Sequence, residues 1–313
     1  MTRRSHRGRP IHGWLVIDKD AGMTSTQVVG AIKAITQAQK AGHGGTLDPL
    51  ATGILPVALG EASKTVPYVM DSRKVYRFTV RLGEARDTDD AEGALTATSA
   101  LRPETAAVLA ALPALTGRVM QRPPSYAAVK IAGERAYDRA RRGETVTLEP
   151  REVLIEELRL LDRPDADHLV FEMISGKGAY VRAVARDLGE RLGCFAHVTQ
   201  LRRLSVGPFG LAQAISLATL ERLVGDGGLP QVLIPVATAL AGIPALAVTE
   251  PQACRLRAGQ AIVVSPQLVT GELAEGATIQ VLRAGALIAI GRLEGPALVP
   301  VRIFNLTADA ATE

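Results

Sequence analysis

Two short stretches gather the residues able to do chemistry. Residues 42–53 read Gly-His-Gly-Gly-Thr-Leu-Asp-Pro-Leu-Ala-Thr-Gly, setting His43 and Asp48 among glycines. Such glycines let the backbone approach a ligand closely. No Gly-Lys-Ser/Thr follows at P-loop spacing and no G-x-G-x-x-G is completed, so ATP and dinucleotide readings fall away. Asp48 before Pro49 is equally compatible with a plain Asx turn or a helix cap. The second stretch, Ser175-Gly176-Lys177-Gly178-Ala179-Tyr180-Val181-Arg182, feeds a strand end into a helix. Its glycine-flanked lysine suits a phosphate, and the helix N-terminus adds a pull on anions. The plain alternatives are a surface turn for Lys177 and, for Arg182, a side chain that snorkels to solvent.

The elements that must position these residues follow from periodicity. Residues 13–17 form an apolar strand, and Thr24 with Gln27 makes a capping box for a helix through residue 37, with Val28, Val29, Ile32 and Ile35 on one face. The Gly-rich loop leads into an apolar run at 54–60 and a helix near 62–70. Residues 74–82 alternate as a half-buried strand. The acidic loop after it is expected to be mobile. Helices are predicted at 103–112, 134–142 (basic, closed by Gly143) and 181–192 (closed by Gly193), and extended chain at 125–131, 145–161 and 168–175. Strands and helices interleave without a βαβ rhythm, which favours α+β over a doubly wound sheet. The Pro- and Ala-rich residues 230–244 read as a linker. Beyond them, 246–249, a short helix at 251–258 and β-like runs at 261–264, 278–283, 286–292 and 299–304 suit a small closed β unit.

A chain of 313 residues with 47% hydrophobic and 22% charged residues is globular, with room for two domains. Its net charge of +4 permits a polyanionic partner without requiring one. Arg3, Arg4, Arg7 and Arg9 make a basic arm, and Arg118 to Arg142 carries seven basic residues against Glu134 and Asp138. Such runs are ordinarily solvated faces. Cys194 and Cys254 form no C-x-x-C, so a disulfide framework is not expected and a reducing, cytoplasmic setting fits. Cys194 and His197 lack the further ligands a zinc site needs, so no metal is expected. Residues 13–17 are too short for a signal segment. The apolar stretch 232–248 is broken by Pro235, Thr238, Gly242 and Pro244, so no membrane span is expected.

Five blocks, taken in order, resemble the TruB family of pseudouridine synthases, which joins bacterial tRNA enzymes with the guide-RNA-dependent dyskerin group: AGHGGTLDPLATGILPVALGEASK at 41–64, VIDKDAGMTS at 16–25, KVYRFTVRLGEARDTDDAEG at 74–93, RPPSYAAVKIAGERAYDRARRG at 122–143 and SGKGAYVRAVARDLGERLGCFAHVTQLRRLSVG at 175–207. The resemblance spans residues 11–210. It implies an α+β, pseudouridine synthase-like catalytic domain at 11–240, with a mixed, mainly antiparallel sheet flanked by helices. A basic arm at 1–10 precedes it, and a small PUA-like β-barrel at 245–308 follows. By the same resemblance Asp48 matches the catalytic aspartate, Tyr76 the tyrosine that stacks on the target base and Arg182 the arginine paired with the aspartate. Leu201 matches an apolar wall of the uracil pocket, Lys64 a backbone-positioning lysine and His43 the imidazole filling space left by the flipped nucleotide, while Lys19 and Tyr180 are further substrate-binding positions. Asp20 stands where the family usually has proline, and Ser175-Gly176 and Ala179 replace a more usual Cys-Ser and Thr.

The implied activity is conversion of the T-loop uridine of tRNA, position 55, to pseudouridine by a monomer. The T stem-loop would be held by the catalytic domain and the acceptor stem by the C-terminal module. The N1–C1′ bond breaks, the uracil turns, and C5 joins C1′. Nothing is oxidised or hydrolysed, so no cofactor is demanded. One carboxylate is needed as nucleophile or base. Burial would raise its pKa, and a forked guanidinium contact from Arg182 would oppose that and fix its orientation. Aromatic residues are only 4%, so shape and phosphate recognition must carry most of the RNA affinity. Two rival readings are a guide-dependent synthase, disfavoured by the lack of a long Lys-rich tail, and a non-catalytic RNA-binding or tRNA-folding helper.

Overall fold

The computed structural model describes residues 8–126, 130–131, 134–135, 142, 148–264 and 274–306. The chain opens with β1 (Gly13–Lys19), almost wholly buried, and α1 (Ser25–Thr36). The capping box forms as expected: the Gln27 amide donates to Thr24 Oγ1 at 3.2 Å and the Thr24 amide to Gln27 Oε1 at 2.8 Å. Then come β2 (Ala41–His43), the Asp48 loop, β3 (Thr52–Leu59), a 3-10 turn (Gly60–Thr65), α2 (Val66–Asp71) and β4 (Lys74–Leu82). A hairpin of β5 (Glu84–Arg86) and β6 (Leu95–Thr98) precedes α3 (Thr105–Ala111), β7 (Gly117–Gln121) and the short ladder of β8 (Lys130–Ile131) and β9 (Glu134–Arg135). The chain continues with β10 (Arg151–Asp162), β11 (His168–Ser175), α4 (Val181–Leu192), β12 (Ala196–Val206), β13 (Phe209–Gly210), α5 (Leu217–Gly225) and α6 (Leu229–Val232).

One large sheet runs β1–β3–β12–β4–β11–β10–β7, with β2 beside β3 and β13 beside β12. Every pairing is antiparallel except β3 with β12, so the sheet is mixed and mainly antiparallel. Phe78 on β4 faces Phe171 on β11 in register, their rings 5.5 Å apart. α4 covers β12 and β4 with Val184, Ala185 and Leu188, and ends at Gly193 in the left-handed region.

The sheet's middle strand β4 and its neighbour β11 lie where they were expected, but β12 on the other side of β4 was not among the expected strands. β12 carries bulges near Val198 and Arg203 and buries an arginine, so its alternation is broken. The expected helix at 134–142 lies mostly outside the described residues, and Glu134 and Arg135 are paired strand instead. Of the extended chain expected at 125–131, Ser125 and Tyr126 form a turn, Lys130–Ile131 are strand as expected, and 127–129 lie outside the described residues. The acidic loop expected to be mobile is knitted to the edge of β12: Val198 N donates to Asp89 O at 3.1 Å and Ala91 N to Val198 O at 2.9 Å.

Residues 230–244 are packed rather than open chain. Ile234 and Trp14 exchange two backbone hydrogen bonds of 2.8 Å, and Val236, Ala239 and Leu240 are buried with Trp14 and Phe209. After it come β14 (Ala245–Ala247), α7 (Glu250–Arg257), β15 (Ile262–Val263), β16 (Thr278–Arg283), β17 (Ala286–Glu294) and β18 (Ala297–Ile303), with the order β14–β16–β17–β18–β15. The end strands β14 and β15 do not pair with each other among the described residues, so this is a curled open sheet where a closed unit was expected. Leu287, Ile290 and Phe304 seat it on Trp14, Val206 and Phe209. Among the described residues no helix is long and apolar enough to cross a membrane.

Candidate active site

The loop between β2 and β3 carries Asp48, and hydrogen bonds pin its backbone at several points. Arg203, wholly buried on β12, donates to Gly45 O (3.0 Å), Thr46 O (3.1 Å) and Ile54 O (2.8 Å). Ser25 Oγ accepts from Leu47 N at 2.8 Å and donates to Leu47 O at 3.1 Å. Ala51 N donates to Asp48 O, and Gly22 N to Pro49 O. A loop held this way presents its aspartate in one orientation before any ligand arrives.

Arg182, in the first turn of α4, meets that aspartate. Its Nε donates to Asp48 Oδ2 at 2.9 Å, its Nη1 to Thr88 O at 2.9 Å and its Nη2 to Tyr126 O at 3.0 Å. The expected fork on the carboxylate is therefore not formed: Nε alone meets Asp48, and the two terminal nitrogens donate to backbone carbonyls. Asp90, also buried, lies 3.6 Å from the same Nε. The arginine side chain is 5% exposed and that of Asp48 is 32% exposed. The cation is thus a fixed floor, while the carboxylate opens outward, its Oδ1 without a hydrogen-bond partner among the described residues.

Tyr76 stands directly opposite Arg203 in the β4–β12 ladder and favours the arginine's charge, as does Asp48. Burial is the larger effect and pulls the Arg203 guanidinium below its ordinary value. Leu201 shares that face two residues along, opposite Phe78, in the apolar cluster that also holds Leu47. Tyr180 precedes α4, its backbone locked by Gln121 at 2.8 and 3.1 Å. Burial raises its phenol, and Asp48, Arg182 and Tyr76 all act on it, so it belongs to the same cluster. His43 ends β2 opposite Val57, and Gly45 N donates to its Nδ1 at 3.4 Å.

Two lysines are occupied elsewhere. Lys19 is buried, its ammonium donating to Asp20 O (2.8 Å), Met23 O (2.8 Å) and Pro49 O (3.2 Å). All three hydrogens are directed at backbone carbonyls, one of them on the Asp48 loop, so in the free protein it braces that loop. Lys64 donates to Glu61 Oε2 and Ile303 O, each at 2.7 Å, and its ammonium lies 5.8 Å from the Phe304 ring centre. In the free protein it fastens the C-terminal sheet to the turn before α2. Lys177 pairs with Asp71 at 2.6 Å.

Sequence reasoning missed Arg203 and Asp90. A charged pair, Arg202-Arg203, inside an otherwise strand-like run was the available signal for the first. Nothing in the acidic loop marked Asp90 over its neighbours.

Two family models match the chain: "TruB family pseudouridylate synthase (N terminal domain)" over residues 33–181 and "tRNA pseudouridylate synthase B C-terminal domain" over 182–241. The chain belongs to the TruB family of pseudouridylate synthases. A tRNA pseudouridine synthase B of Nitrobacter winogradskyi is 52% identical over 323 aligned residues, covering 99% of this chain and 89% of the relative. One of Bradyrhizobium diazoefficiens is 54% identical over 311, covering 97% and 89%. A solved H/ACA RNP bound to a substrate RNA containing 2′-deoxyuridine superposes with a TM-score of 0.74 at 22% identity, over 99% of this chain and 93% of that one. A Cbf5–Nop10–Gar1 complex gives 0.74 at 23%, over 93% and 84%. These two likenesses establish the fold. Neither TruB family model reaches the curled C-terminal sheet.

Proposed function

We propose that this chain converts the T-loop uridine of tRNA, position 55, to pseudouridine, with Asp48 as the catalytic group. The observation that carries the reading is the half-open Asp48 carboxylate set on the buried Arg182 guanidinium at 2.9 Å. Its relatives' shared name, tRNA pseudouridine synthase B, points to the same substrate.

Uridine reaches such a recessed carboxylate only after leaving its stack, at a cost of a few kcal/mol. Stacking on Tyr76 returns about 1–3 kcal/mol. Asp48 then acts at the nucleoside as nucleophile or base, the N1–C1′ bond breaks, and the uracil turns. C5 joins C1′, the C5 proton departs, and N1 takes up a proton, so the product is an isomer of the substrate. Leu201 and Tyr180 wall the detached uracil, and His43 fills the space vacated by the flipped nucleotide. Arg182 holds the carboxylate throughout. The chemistry is redox-neutral and asks for no cofactor or metal.

In this reading residues 11–240 form the catalytic domain and the basic residues 1–10 an arm on the RNA. The curled sheet within residues 245–308 is a PUA-like RNA-binding module against the acceptor stem. The protein works as a cytoplasmic monomer. Incubating pure protein with an unmodified tRNA transcript, without added metal or cofactor, and mapping pseudouridine tests the proposal. One T-loop site converted supports it; binding without conversion of any uridine supports a folding helper instead.

A further inference from the structure

Arg182 and Arg186 lie one turn apart on the same face of α4, and each bridges the same two segments. Arg182 reaches Thr88 O on one side and Tyr126 O on the other. Arg186 pairs through Nη1 with Asp89 Oδ2 at 3.0 Å and donates through Nη2 to Arg122 O at 2.7 Å. The second arginine touches no part of Asp48. It seizes the residue next to the one that holds Arg182.

Asp89 has the left-handed backbone conformation, φ 59, which costs a residue with a side chain free energy and persists only where contacts enforce it. Those contacts are the Arg186 ion pair and the backbone bonds to Val198 and Arg86. Both partners of the pair are mostly buried, so it is a desolvated bridge of the kind whose one-sided removal is costly.

We propose that Asp89 and Arg186 are a positioning pair: they lock the loop between β5 and β6 so that the Thr88 carbonyl holds Arg182, and through it Asp48, in the reactive arrangement. This rests on the function proposed above. The charged groups around Asp89 are Arg182, Arg186 and Asp187 on α4, with Glu190 4.0 Å from Arg186, and Asp87 and Asp90 on its own loop. Burial pushes the Asp89 carboxyl up to about 6, with Asp187 adding to the rise and Arg186 and Arg182 opposing it. The latch is therefore closed at neutral pH and loosens as the pH falls through that value.

The test is Asp89→Asn, which tolerates the left-handed backbone and cannot ionise. Two readouts are single-turnover pseudouridine formation from about pH 5 to 8 and hydrogen exchange of residues 87–93 and 198 in the free protein. The expected result is a rate about tenfold lower at neutral pH with tRNA affinity within about twofold, a flattened acid limb, and faster exchange of the Ala91 and Val198 amides. Asp89→Asn with Arg186→Gln should be no slower than the slower single variant. An Asn variant that keeps the wild-type rate and acid limb overturns the proposal. A wild type that forms no pseudouridine contradicts the proposed function instead. The exchange data then decide the pair's role, and unchanged protection in the variant rejects it.

Discussion

Arg182 and Asp48 meet through a single N–H, Nε to Oδ2 at 2.9 Å, while both remaining nitrogens of the guanidinium are committed to the carbonyls of Thr88 and Tyr126. The arginine is thereby fixed by three separate segments of chain. Its position is set by backbone, and the aspartate takes its orientation from a group that cannot swing.

Arg182→Lys keeps the charge but offers three hydrogens from one point, which cannot span Asp48, Thr88 and Tyr126 together. The expected outcome is a single-turnover rate lower by about a hundredfold with tRNA still bound. A rate within about threefold of wild type would show that charge alone suffices.

Gly53 sits at φ 97 where β3 meets β12 in parallel, and a Cβ there would collide with the Arg203 carbonyl. Gly53→Ala is expected to lower stability by about 1–3 kcal/mol, from strain in the left-handed region and displacement of the Arg203 backbone. Urea unfolding checks this, and an unchanged midpoint counts against the packing described for that junction.

Lys74, buried at the start of β4, has its ammonium pulled down from 10.5 to about 8 by burial, with Arg203 adding to the fall. Between those values the unfolded chain still holds a proton the folded chain has released, so Lys74 makes stability rise with pH across that window. The expected difference between wild type and Lys74→Met, measured by urea unfolding at the two ends of the window, grows in favour of wild type as the pH climbs. A difference that stays constant contradicts the burial of this ammonium.

In the proposed function the Arg-rich arm and the stretch from Arg118 to Arg142 contact tRNA phosphates, and such contacts release counterions. Affinity is expected to fall by about a hundredfold or more between about 50 and 200 mM salt. A flat dependence, read by filter binding or fluorescence, would place recognition in uncharged contacts.

Several elements were legible because their signals are local. The Thr24–Gln27 box, the alternation of β4 and the Gly193 stop each lie within a few residues. Asp48 and Arg182 stood out through their glycine-rich surroundings and their likeness to a family, and the structure brings them together. β12 was hidden because bulges and a buried arginine erase the period that marks a strand. The backbone partners of Lys19 and Lys64 were hidden for a related reason: Pro49 O and Ile303 O, which accept from them, lie 30 and 239 residues away in the chain. Nor could spacing reveal that Arg182 spends two nitrogens on Thr88 and Tyr126, far away in the chain.

The most direct test replaces one oxygen. Asp48→Asn preserves the shape of the loop and removes the carboxylate resting on Arg182. Pseudouridine in a tRNA transcript should be undetectable after prolonged incubation with this variant, while its affinity for that tRNA stays within about threefold of wild type. Substantial pseudouridine formed by the asparagine protein would contradict the assignment of Asp48 as the catalytic group.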